Sequence, residues 1–377
     1  MTLAFLSGQV PYLRDRGYTV HVVSAPGEDL ERFAARYGAT PHAVPMTRRI
    51  TPFRDLLAVL ALARLLRRLR PTIVHAHTPK GGLVGMLAGW LARAPVRVYH
   101  LRGLAWRPED AVRSRLLRLT ERVSCGLAHR VFAVSRSLRE AAIGQRLCEA
   151  DRILVLEGGS GNGVDAEHRF HPRLREEEGA ATRRRLGIDP DAPVIGFVGR
   201  LARDKGIVEL AAAWRELRRR FPGAHLLLVG PVEENDPVPS DVLAALEADA
   251  RVHATGLEWD TPPLYAAMDV VALPTYREGF PNVPLEAAAM ELPVVATRIP
   301  GCEEAVKEGV TGTLVPVGDA AALAEALAAY LADPDLRRRH GTAGRARVLA
   351  EFRPQAIWRG LHEEYERLVA ARVQGTP

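Results

Sequence analysis

Cysteine and lysine are both scarce in this chain. Three cysteines, Cys125, Cys148 and Cys302, lie scattered among 377 residues with no Cys-x-x-Cys pair. That excludes a zinc framework or a disulfide scaffold read from spacing, and fits a reducing cytoplasm. No run of about 18 apolar residues occurs, so no membrane-spanning helix is expected. Met1 to Gly8 lacks a basic stretch leading into a long apolar core, so no signal peptide is read there. No Gly-x-Gly-x-x-Gly follows a strand-like run, which argues against a dinucleotide oxidoreductase. Aromatic residues make up only 6%. With no stacking platform evident, nucleic acid is not an expected partner.

What is present is an ordinary globular balance, 47% hydrophobic and 25% charged, with a net charge of +6 that favours anionic partners. The length suits two domains. Arginine supplies nearly all the positive charge; the only lysines are Lys80, Lys205 and Lys307. In such a chain a lysine marks a place where a compact point charge is wanted. Lys80 and Lys205 stand beside glycine in strand-to-helix loops, whereas Lys307 reads as an ordinary surface residue.

Strand-like runs alternate with helical patterns, which indicates parallel α/β sheets. The first series runs through 18–24, 72–76, 96–100, 130–135 and 153–156. The second runs through 194–198, 224–229, 252–255, 270–274, 293–296 and 312–315. Helices are predicted over 207–220, 320–332, 334–350 and 354–373. The charged, proline-rich stretch 168–193 reads as a linker. These patterns divide the chain into an N-terminal domain (1–170), a C-terminal domain (171–353) and a closing helix with tail (354–377) that packs back on the first. Ligands of open α/β sheets bind at the C-terminal strand edges, here in a cleft between two such sheets. Residues 2–16 read as a helix preceding the first strand. A doubly wound domain normally opens on a strand that becomes central, so the N-terminal sheet is expected to lack its first strand, and a longer chain starting upstream is expected to be more stable and active.

Two segments carry the chemistry. Tyr276-Arg277-Glu278-Gly279-Phe280-Pro281-Asn282-Val283-Pro284-Leu285-Glu286 follows a strand and opens a helix, with Asn282 as a candidate N-cap and Pro284 in the first turn. Its amides would suit a phosphate. Eight helical steps would separate Glu278 and Glu286 by about 12 Å, too far for a glycosidase pair, so the two acids are expected to do different jobs. Val198-Gly199-Arg200-Leu201-Ala202-Arg203-Asp204-Lys205-Gly206 leaves the first strand of the second series; Arg200 and Lys205 could converge on a diphosphate. Taken alone, the alternatives are a solvated loop acid for Glu278, a surface helix acid for Glu286 and a solvated basic turn for the second segment.

Together, Gly-Arg-x4-Lys-Gly and, some seventy residues on, Glu-Gly-Phe-x-Asn-x3-Glu resemble family 4 of the retaining glycosyltransferases, which have the GT-B fold of two facing Rossmann-like domains. The resemblance covers nearly the whole chain. It implies that Arg200 and Lys205 bind the donor diphosphate, that Glu278 contacts the donor sugar and that Glu286 holds the ribose. Gly199, Gly279, Phe280, Asn282 and Val283 would complete the donor site. The family's histidine near the reacting carbon falls on His100, which with Arg200, Lys205 and Glu278 makes the implied catalytic set. His75 and His77 are expected to point to different faces, with His77 reaching the acceptor. Lys80, Gly81, Ser160 and Asn162 resemble segments of members acting on polyprenyl-diphosphate-linked sugars in surface polysaccharide synthesis; ligand-free tight turns are the alternative.

No Asp-x-Asp follows a strand: Asp189-Pro190-Asp191 lies in the linker and Asp333-Pro334-Asp335 between helices. No cofactor and no metal is therefore expected. The implied reaction moves a hexose or N-acetylhexosamine from a nucleotide diphosphate sugar, with UDP the nucleotide by resemblance, to a saccharide or lipid-linked acceptor. The basic helical stretches 54–70 and 112–123 suit peripheral contact with an anionic membrane at the inner face of the cell membrane; one buried face with favourable end charges is the alternative. Competing readings are a non-hydrolysing nucleotide-sugar epimerase and an inactive nucleotide-sugar-binding protein.

Overall fold

The computed structural model describes residues 6–47, 51–104 and 111–373. It divides into two compact units, residues 1–162 with 354–377, and 163–353.

The first unit runs α1 (Gln9–Arg14), β1 (His21–Ser24), α2 (Glu28–Tyr37), β2 (Thr40–Ala43), α3 (Pro52–Leu69), β3 (Ile73–His77), α4 (Pro79–Leu91), β4 (Val96–Leu101), α5 (Ala111–Leu127), β5 (Arg130–Ala133), α6 (Arg136–Gly144) and β6 (Ile153–Val155). Strands β3-β4-β5-β6 form one parallel sheet, while β1 and β2 pair separately. Of the predicted opening helix, 2–5 lie outside the described residues, and within 6–16 only α1 is α-helical, with turns on either side. β2 escaped the sequence reading because Thr-Pro-His-Ala shows no apolar alternation; it is a short edge strand, where proline is tolerated.

One face of the four-stranded sheet carries α4, flanked by α3 and α5. The helix sits close enough that a Cβ on Gly82 would stand 2.3 Å from the Tyr99 ring. Gly82 is thus a packing requirement. On the other face, Val96, Val98 and Phe132 pack with Leu361, Tyr365 and Leu368 of α15 (Pro354–Val373). The last helix of the chain completes the core of the first unit.

The second unit contains α7 (Ala180–Arg185), β7 (Val194–Val198), α8 (Ile207–Arg220), β8 (His225–Val229), α9 (Ser240–Glu247), β9 (Val252–Gly256), α10 (Pro262–Ala266), β10 (Val270–Leu273), α11 (Val283–Ala289), β11 (Val294–Thr297), α12 (Pro300–Ala305), β12 (Gly312–Val315), α13 (Ala320–Ala332) and α14 (Pro334–Glu351). Its six parallel strands are ordered β12-β11-β10-β7-β8-β9. The chain winds outward from β7 to β9, then returns to lay β10 on the other side of β7. That reversal creates a crevice at the C-terminal ends of β7 and β10, where doubly wound sheets bind ligands. The Asp333-Pro334 pair proves to be a helix start: the Asp333 side chain accepts from Leu336 N at 2.9 Å, with proline at the first helical position.

The stretch read as a linker folds instead into a π-helical turn, Arg175–Gly179, continuous with α7. Its inward side is polar and small. Arg175 and Arg183 reach Asp269 at 3.1 and 2.9 Å, and Gly179 abuts the carbonyl of Ala266. An apolar-periodicity reading cannot detect a helix anchored by arginine and glycine.

Candidate functional site

The loop after β7 and the loop after β10 are laced together at the crevice. Tyr276 N donates to Asp204 O at 2.9 Å, and Arg277 Nη2 meets Asp204 Oδ2 at 3.1 Å. Gly206 turns the first loop into α8 with φ of 73°, and a Cβ there would stand 2.0 Å from Pro274 O. Only glycine meets both demands. This lacing brings Lys205 to Glu278, Nζ to Oε1 at 2.5 Å, with both side chains about four-fifths buried (17% and 20% exposed). Seventy-three residues of separation collapse into one contact because β7 and β10 are neighbours.

Arg200, next to Gly199 at the end of β7, is held by Glu233 from the loop after β8. Glu233 is itself oriented by Asn235, whose Nδ2 donates to it at 2.8 Å. That bond and Arg200 hold the Glu233 carboxyl down at about 2. The two candidate diphosphate cations thus wait in ion pairs with separate acids.

Asn282 does stand at the start of α11, but its side chain makes no capping bond. Phe280 turns its ring into the core against Phe352, centroids 5.6 Å apart, so only its backbone is placed for a ligand. Gly279 lies against the start of α12, and Val283 is the half-buried first residue of α11. Glu286 has a partner of its own: Tyr265 Oη donates to its Oε2 at 2.8 Å. Glu278 and Glu286 therefore occupy distinct surroundings, one facing a lysine and the other a phenol.

In the first unit, β3 and β4 run parallel with His77 opposite His100. His75 and His77, two residues apart on one strand, lie on the same face, contrary to the expectation that they diverge. They stack at 4.2 Å, and His100 lies 5.5 and 5.3 Å from them. The period of two along a strand requires this. Burial first, then the charge of Arg102, depresses His75 to about 3 and His100 well below its usual range; His77 is depressed by burial, then His75 and Arg102. All three are neutral imidazoles at pH 7. His75 Nδ1 is tied to Tyr365 Oη at 2.5 Å.

Among the described residues this trio is the one grouping with the donor atoms of a metal site, yet its rings fit one ion poorly. Their planes lie within 29° of parallel. Parallel rings share an ion only when coplanar with it, and His75 and His77 are stacked face to face instead. Arg102 Nη2, 3.4 Å from His77 Nδ1, adds a repelling charge.

The remaining acceptor candidates do not form one cluster. Lys80 is in the first turn of α4, paired with Asp55 at 2.5 Å, with Gly81 beside it. Ser160 is buried at φ of 65°, and Asn162 Oδ1 accepts from Trp358 Nε1 at 2.7 Å. Between them, Gly161 lies against the Arg102 guanidinium, which links that turn to the histidines. The sequence reading missed Glu233, Tyr265, Arg102 and Asp55. Arg102 directly follows β4 and Glu233 lies four residues past β8, positions that parallel topology alone marks as site-facing.

Residues 4–159 match the family model described as the glycosyl transferase 4-like domain, and 192–333 that of glycosyl transferases group 1. A capsular polysaccharide biosynthesis glycosyltransferase, CapM of Staphylococcus aureus, is 32% identical over 97% of this chain and 94% of its own. A 2-deoxystreptamine N-acetyl-D-glucosaminyltransferase of Streptomyces fradiae is 30% identical, covering 96% and 89%. Among solved structures, Anabaena HepE in complex with UDP-glucose superposes with a TM-score of 0.80 at 24% identity, covering 97% of this chain and 95% of that one. The laced motifs at the β7–β10 crevice and these similarities over nearly the full length lead to one conclusion: the chain belongs to family 4 of the glycosyltransferases, has the GT-B fold and is a glycosyltransferase.

Proposed function

We propose that this enzyme transfers a hexose or N-acetylhexosamine from a nucleotide diphosphate sugar, with UDP as the nucleotide, with retention at the anomeric carbon and without a metal. The observation that carries the reading is the Lys205–Glu278 pair beside Arg200 at the β7–β10 crevice. A diphosphate there would draw Lys205 and Arg200 toward its oxygens, releasing Glu278 to accept from the sugar hydroxyls. The cations stabilise charge that grows on the leaving diphosphate as the bond from C1 to its oxygen breaks. The acceptor oxygen forms its bond to C1 on the same face, and its proton passes to an oxygen of the departing phosphate. Glu286 takes the ribose hydroxyls. His100 and His77, neutral through burial, are hydrogen-bonding groups rather than cations.

The acceptor is a saccharide of surface polysaccharide assembly, carried on a polyprenyl diphosphate. The similarity to CapM, a capsular polysaccharide biosynthesis glycosyltransferase, supports the polysaccharide part of this reading. The enzyme acts at the cytoplasmic face of the membrane. α3 exposes Phe53, Leu56 and Leu57, and α5 exposes Val112 and Leu119, on helices rich in arginine; both features favour an anionic bilayer.

The test is release of UDP from UDP-glucose and UDP-N-acetylglucosamine, with and without excess chelator, and the anomeric configuration of the product by NMR. Arg200→Ala and Lys205→Ala are each expected to lower turnover about 100-fold while the melting temperature stays within a few degrees. Wild-type rates in both variants, or a chelator-sensitive reaction, would overturn the proposal.

A further inference from the structure

Glu286 sits in the first turn of α11, half-buried. Burial of its carboxyl group favours the neutral form, a push opposed by the bond from Tyr265 and more weakly by Arg169. A glutamate has three side-chain torsions, so an unassisted carboxylate at this position would swing among rotamers.

Tyr265 removes that freedom. Its side chain is fully buried, and a phenol taken out of water needs a partner. The Glu286 oxygen at 2.8 Å is that partner. The ring cannot drift. Phe170 packs edge-on against it, centroids 5.8 Å apart at 72°. Its helix α10 is clamped by the π-helical turn, where a Cβ on Gly179 would come within 2.6 Å of Ala266 O. The proton donor is therefore supplied from a rigid platform 21 residues away in the chain.

We propose that Tyr265 is the positioning residue that pins Oε2 of Glu286 and so presents Oε1, with the remaining lone pair of Oε2, as a fixed acceptor for the two vicinal ribose hydroxyls of the donor nucleotide. This rests on the reading above that Glu286 faces the ribose. A carboxylate oxygen accepts two hydrogen bonds, so the phenol and a sugar hydroxyl share Oε2 without conflict. The discrimination between a ribonucleotide and its deoxy analogue then depends on a residue that never touches the nucleotide.

The test is calorimetric binding of UDP and 2′-deoxy-UDP to the full chain, as wild type, Tyr265→Phe, Glu286→Gln and the double variant. Wild type is expected to prefer UDP by about 10-fold or more, the scale of a hydrogen bond to a charged group. In Tyr265→Phe, UDP binding weakens about 10-fold, 2′-deoxy-UDP changes little and the preference collapses; in the Glu286→Gln background the same substitution adds nothing. A merely structural role would weaken both nucleotides equally. An unaltered preference in Tyr265→Phe, or an equal loss for both ligands, removes the positioning role alone, whereas a wild type that binds no UDP removes the donor-site reading and this inference with it. Should Tyr265→Phe fail to fold, Glu286→Asp, which withdraws the carboxylate from the phenol, is expected to show the same collapse; a retained preference there overturns the proposal.

Discussion

His75 is held near 3 by burial and by Arg102, far below the 6.5 of an exposed imidazole. The unfolded chain therefore takes up a proton near pH 6.5 that the folded one refuses. Stability from this group is complete above that pH and is lost progressively as pH falls toward 3. Between pH 7 and 5 the loss amounts to about 2 kcal/mol. Hydrogen exchange of the β3–β5 amides is expected to show it, and His75→Gln to flatten that acid limb. Glu121 behaves with the opposite sign. Buried, and bonded through Oε2 to Tyr99 Oη at 2.8 Å, its carboxyl is pushed up to about 7 by burial. The folded state keeps a proton that the unfolded chain loses above pH 4.5, so stability is full at low pH and declines as pH rises through 7. Glu121→Gln is expected to stabilise the first unit by about 3 kcal/mol at pH 8 and to change little at pH 4.5; equal effects at both values would count against a protonated Glu121. Neither shift is legible from sequence, since each depends on what surrounds the group. The cysteines make the same point: Cys125 and Cys148, unrelated by spacing, are hydrogen-bonded thiols in the fold, the first raised and the second lowered by that contact.

At the scale of elements, α3 has one side in the core and an apolar side left exposed. Ala58, Val59, Leu62 and Leu66 are buried in the core beneath it, while Phe53 is 74% exposed. A single helix of 18 residues can do both because its apolar residues cover more than one face. Phe53→Asp combined with Leu57→Asp is expected to reduce flotation with anionic liposomes several-fold at low salt without altering stability by more than about 0.5 kcal/mol. Unchanged flotation would remove the membrane role from α3. Long helices were readable from their period, and α8 and α13 fall where the pattern puts them; the short strand β12 falls on its apolar run. The failures share one cause. β2 buries none of its residues fully, and the π-helical turn and α7 bury glycine, threonine and arginine instead of an apolar stripe; no hydrophobic periodicity reports such contacts.

At the scale of the whole molecule, the last helix belongs to the first unit. Leu361, Tyr365 and Leu368 of α15 are buried against β4 and β5, and Glu364 pairs with Arg130 at 2.5 Å. A chain ending at Arg353 is expected to lose cooperative unfolding of the first unit while the second keeps its amide protection and its nucleotide binding, a difference that residue-resolved hydrogen exchange would measure; retained protection in β3–β5 would refute it. The core of the first unit is therefore incomplete without α15. Local periodicity already carries the alternation of strands and helices and the two parallel series, and the two candidate motifs are legible as residue types at fixed spacing. Tertiary structure alone decided which acid meets which cation. Strand order places β10 and β8 on either side of β7, so that Glu278 reaches Lys205 and Glu233 reaches Arg200, and contacts across 73 and 33 residues arise from the winding of a sheet, which no local spacing encodes.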